Sequence, residues 1–95
     1  MKSTHWRAIV KLPDGREFQA WVKQVSSKKI VIRNEVPLRE GSECGLTMNV
    51  PQSDGAQPEI VQANCRASKS ILSSMEFRTW LDLLELKGGA TWMQG

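Results

Sequence analysis

Apolar and polar residues alternate along most of this chain, and a period of two predicts strands. Pro13-Asp14-Gly15 separates an apolar run at residues 6–12 from one at 16–25, and Asp-Gly between such runs is a strong hairpin signal. Both of its central positions tolerate positive φ. On the second run Phe18, Ala20 and Val22 share a face, and Trp21 points the other way. A tight Ser26-Ser27 corner leads into a third strand at 29–34, with Ile30 and Ile32 on one face and Val31 and Arg33 on the other. Pro37 ends that segment, because proline cannot donate to a ladder. Cys44, Leu46, Met48 and Val50 alternate inward on a fourth strand at 42–50. Val61, Ala63, Cys65 and Ala67 do so on a fifth at 59–67, beyond a polar loop at 51–58.

The segment 73–86 reads two ways. Phe77, Trp80, Leu81 and Leu84 form a helical stripe behind the capping box Ser73-Ser74-Met75-Glu76. Met75, Phe77, Thr79, Leu81 and Leu83 alternate as a strand does. Local pattern alone favours the helix.

The order of parts resembles the PilZ family of small β-barrels, receptors for cyclic di-GMP. The residues that carry the likeness are the strand–corner–strand unit at 21–32, the entry Leu38-Arg39-Glu40-Gly41-Ser42 to the fourth strand, and the final alternating segment from Glu76 to Leu86. The resemblance implies an all-β, six-stranded antiparallel PilZ-like barrel at about residues 6–86, in a single domain of residues 1–95 with a short tail at 87–95. It makes 76–84 a strand, joined to the fifth by a turn near 68–74. That strand also covers the edge the fifth would leave. Ile30, Ile32, Leu46, Met48, Val61 and Phe77 are then expected to meet in one core.

The family's corner motif, (D/N)xSxxG, falls on Gln24, Val25, Ser26, Ser27, Lys28 and Lys29, so the serine is kept while the acid or amide is glutamine and the glycine is lysine. Its arginine motif, RxxxR, meets Arg7 as the second arginine and Ser3 where the first would stand. Arginine suits that role because its planar fork pairs with phosphate and stacks on flat rings. The resemblance thus marks Arg7, Gln24, Ser26, Lys28 and Lys29 as the candidate nucleotide site. Lys29 in place of glycine puts a bulky side chain where a corner can demand positive φ.

With 95 residues, 40% hydrophobic and 24% charged, the composition is that of one globular domain. No apolar run reaches the roughly 18 residues of a membrane span, and no signal-peptide pattern opens the sequence, so a cytoplasmic protein is expected. Cys44 and Cys65 fit that compartment as small core residues. The lone His5, without a second histidine or a CxxC, offers no metal site. Catalysis lacks a nucleophile–base motif or a phosphate loop, so no enzyme and no cofactor are expected.

Net charge is +3, with +6 over residues 1–39 and −3 over 40–95, and a basic half suits an anionic partner. Trp21, Trp80 and Trp92 are candidate interface residues, since large outward aromatics anchor protein contacts. The leading expectation is a small bacterial signalling adaptor, tied to cyclic di-GMP or surface motility, that acts through a protein partner and binds the nucleotide weakly or not at all. One alternative is a genuine cyclic di-GMP receptor with an altered site. Another is a nucleic-acid-binding barrel using Trp6, Arg7, Lys11, Arg16, Phe18, Trp21 and Lys23.

Overall fold

A computed structural model describes residues 2–52 and 57–87. Six strands form: β1 (Lys2–Lys11), β2 (Glu17–Val25), β3 (Lys29–Asn34), β4 (Glu43–Val50), β5 (Glu59–Ser73) and β6 (Glu76–Lys87). They close into an antiparallel barrel in the order β1-β2-β3-β6-β5-β4, with β4 pairing back to β1 through Ala8–Met48 and Val10–Leu46. Closure leaves no edge around the girdle, which is how a small barrel avoids strand-to-strand aggregation.

The inward face of each strand supplies the core. Val10, Val22, Ile30, Ile32, Leu46, Met48, Val61, Cys65 and Leu81 are buried together, and Trp6 belongs to the same cluster. Phe77, expected among them, is only half-buried. It pairs with Leu72 near the tip of the β5–β6 hairpin.

β6 is a strand, and the helical stripe dissolves once its faces are seen. Leu81 points into the core, Trp80 points outward opposite Val31, and Leu84 is the extra residue of a bulge between the pairs Asn64–Glu85 and Cys65–Leu83. The turn before it is much shorter than 68–74: β5 runs on to Ser73, and Ser74 and Met75 alone make the corner, with φ of 51° and 70°. The bulge at Ser68 hides this from the pattern, because it breaks the apolar alternation among polar residues that read as a turn.

The β1–β2 hairpin forms as expected, with a different turn. Gly15 N donates to Leu12 O at 2.9 Å and Leu12 N to Arg16 O at 2.8 Å. Only Gly15 takes positive φ, at 94°, so Pro13-Asp14 forms an ordinary turn followed by a glycine bulge. The Asp14 carboxylate accepts from the Arg16 backbone N–H and pairs with its guanidinium, and these contacts hold its pKa below the ordinary value.

One polar chain crosses the inner face. The Thr79 hydroxyl donates to Asn34 Oδ1 at 3.0 Å and lies 2.9 Å from Ser70 Oγ, while Asn34 Nδ2 donates to the Val36 carbonyl. Asn34 and Thr79 are both fully buried, so these bonds satisfy groups that water cannot reach.

Candidate functional site

The β2–β3 corner is closed by a side chain. Ser26 N donates to Lys29 O at 2.8 Å, and the Ser26 hydroxyl accepts from Lys29 N at 3.0 Å and from Lys28 N at 3.4 Å. The hydroxyl stands where a backbone carbonyl would complete the hairpin pair. Neither Lys28 nor Lys29 has positive φ. The lysine at the glycine position is therefore unstrained, against the expectation from the motif.

The corner is basic and exposed. Lys2 lies beside it, paired with Val25, and Lys29 Nζ is 3.7 Å from Asp82 Oδ1. Gln24 is half-buried on the outer face, opposite Ser3 and Val31. Arg7 stands apart. It sits in mid-strand opposite Trp21, which precedes the corner residue Ser26 by five positions, about 16 Å along an extended chain. Gln24, Ser26, Lys28 and Lys29 are thus together, and Arg7 belongs to another neighbourhood.

That neighbourhood surrounds Trp21. The His5 ring stacks on the indole at 4.2 Å with 9° between planes, and the Arg7 guanidinium carbon is 5.6 Å from its centroid. Lys23 Nζ donates to His5 Nδ1 at 2.9 Å. Trp80, on the same outer surface, carries Lys69 Nζ at 5.4 Å from its ring centre. Both tryptophans are half-buried. Trp92 lies outside the described residues.

The two cysteines face each other across β4 and β5 inside the barrel. Burial pushes the Cys44 thiol up to about 11. It pushes Cys65 up to about 12, with smaller contributions from Cys44 and Asp82. Neither is a reactive thiolate at neutral pH. Among the described residues no three metal-ligating side chains cluster, and no helix is long and apolar enough to cross a membrane. Trp6 and Phe18, counted among possible nucleic-acid contacts, point inward, Trp6 into the core and Phe18 against it.

No family model matches the sequence, and no curated protein matches it. Among solved structures, the Bacillus subtilis inhibitor of motility (MotI/DgrA) shares the fold, with a TM-score of 0.74 and 10% sequence identity over 90% of this chain and 41% of that one. The chain spans less than half the length of that protein. At this identity the likeness is one of architecture: an all-β, six-stranded PilZ-like barrel.

Proposed function

We propose that this chain is a PilZ-like signalling adaptor of a bacterial cyclic di-GMP or surface-motility pathway, working through a protein partner and holding cyclic di-GMP weakly or not at all. The observation that carries the reading is the division of the motif residues. The Ser26 hydroxyl is already engaged by its own corner, and Arg7 pairs with Trp21, about 16 Å of extended chain before it. A compact nucleotide gains its affinity from convergent groups, and these do not converge. The barrel shared with the Bacillus subtilis inhibitor of motility supports the signalling context. No catalytic role is assigned.

Calorimetric titration with cyclic di-GMP in physiological salt tests the proposal. Binding weaker than roughly 100 μM, or none, is expected, since each lost charge-assisted contact costs one to two orders of magnitude. Sub-micromolar binding that disappears in Arg7→Ala and Ser26→Ala would replace the adaptor with a true receptor built on Arg7, Gln24, Ser26, Lys28 and Lys29.

A further inference from the structure

β5 outruns its neighbour on one side. It pairs with β4 from Glu59 to Arg66, and Ala67 closes that ladder by accepting from Gly41 N at 2.7 Å and donating to Ser42 O at 2.9 Å. With β6 it stays paired as far as Ser73. Over residues 68–73, no backbone bond joins β5 to any segment but β6 among the described residues. This stretch is a sheet edge beyond the closed girdle. It lies at the Asn34 end of β3, where Asn34 pairs with Phe77, and the Ser26 corner lies at the other end, where Lys29 pairs with Asp82.

Such an edge offers alternate free N–H and C=O groups, a template for another strand. Edges are commonly blunted by a charge or a bulge. Here the bulge at Ser68 and the charge of Lys69 stand at the inner end, and residues 70–73 carry no charge. Ile71, Leu72 and the corner residue Met75 are all exposed. Lys69 and Ile71 share the outward side with their partners Trp80 and Arg78, while Ser70 and Leu72 lie on the other side with Thr79 and Phe77.

We infer that residues 68–73 take up an extended segment of a partner protein, which adds a strand antiparallel to β5 and carries an acid opposite Lys69 and apolar residues opposite Ile71 and Leu72. The inference rests on the adaptor reading and names the surface through which the adaptor acts. Lys69 and Arg78 have no ion pair among the described residues, and the nearby Glu76 carboxylate is held by Arg33 Nε at 2.7 Å. The outward side of the edge is therefore cationic, and an opposite charge across it is favoured. Backbone bonds supply the affinity and the alternating side chains the choice of partner. A second copy fits less well. Antiparallel pairing of two such edges sets Lys69 and Arg78 of both copies on one side, and the stretch is far short of the roughly 20–30 residues a side of a stable interface. A bilayer fits less well too, because the open backbone groups would enter lipid unpaired.

The test titrates a capped peptide, Ser-Thr-Leu-Val-Thr-Glu-Thr-Ser, into the ¹⁵N-labelled chain. In antiparallel register its Leu, Val and Glu fall opposite Leu72, Ile71 and Lys69. Saturable shifts and slowed amide exchange are expected over residues 68–73. Peptides N-methylated on one or the other set of alternate amides should differ, one set abolishing binding and the other leaving it. Ile71→Ser/Leu72→Ser should weaken binding roughly tenfold while the dispersed barrel spectrum persists. Lys69→Glu should reverse the preference between this peptide and one with Lys in place of Glu. No saturable binding below roughly 1 mM, shifts centred elsewhere, or equal binding by both methylated peptides overturns the proposal. So does protection of residues 68–73 that rises with the concentration of the chain alone, which would mark a second copy, or stronger protection by phosphatidylglycerol vesicles, which would mark a membrane. The cyclic di-GMP titration reads the opposite end of the barrel, so the two claims fail separately.

Discussion

Single residues decide how this barrel tolerates its departures from the PilZ-like motifs. Ser26 closes its corner with a hydroxyl, and the two lysines after it need no unusual backbone. Ser26→Ala should cost about 1 kcal/mol in chemical denaturation by removing that closure, while Lys29→Gly should bring no gain. Thr79 is the hinge of the buried polar chain. Thr79→Val leaves Asn34 Oδ1 without its donor and should cost about 1–3 kcal/mol. An unchanged midpoint would mean that water reaches that carbonyl. The cysteines make a pH-dependent contribution. Their native pKa values of about 11 and 12 lie above the ordinary thiol value, so the folded state holds those protons more tightly. Their stabilising effect is complete below about pH 8.5 and is lost as pH rises through the folded values. Cys44→Ala/Cys65→Ala should flatten the alkaline fall of stability, read as denaturation midpoints between neutral and alkaline pH.

Among the elements, the β5–β6 hairpin stands out. Its corner places Met75 at φ 70° and 94% exposed, beside a 63% exposed Leu72. An unbranched residue pays for positive φ that Asn or Gly does not. Ser74→Asn/Met75→Gly should therefore raise stability by up to about 1 kcal/mol, and a lower melting temperature would show that the corner is not of this type. The hairpin also shows what the chain makes legible. Strands with uninterrupted alternation, such as the one carrying Cys44, Leu46, Met48 and Val50, declare their faces directly, because burial on one side writes a period of two. Bulges erase that signal. Ser68 made the end of β5 look like a turn, and Leu84 lent β6 a helical stripe. The buried pair Asn34 and Thr79 was silent for another reason: each looks polar alone, and only the β3–β6 register brings them together.

For the molecule as a whole, closure of the barrel turns the outward side chains of successive strands in different directions. Arg7, Trp21, Arg33 and Arg78 share no sequence motif; the register pairs each with the next, and Arg78 on β6 stands three strands from Arg7 on β1, across the six-stranded girdle. The basic bias of the first 39 residues hinted at an anionic partner, yet Arg78 comes from the acidic half. The candidate nucleotide residues were legible because the corner motif they resemble is contiguous in sequence. What the motif could not convey is that Arg7 pairs with Trp21 in mid-ladder, whereas Ser26 lies in the corner beyond the ladder's last pair, Lys2–Val25. If the Ser26 corner serves the fold, closed by its own hydroxyl, cyclic di-GMP should leave it undisturbed. An amide ¹H–¹⁵N spectrum recorded while cyclic di-GMP is added in physiological salt tests it residue by residue. No saturable change is expected below roughly 100 μM, with any drift confined to the exposed Lys28 and Lys29. Saturation below 1 μM, with shifts joining Gln24, Ser26 and Arg7 in one footprint, would contradict it.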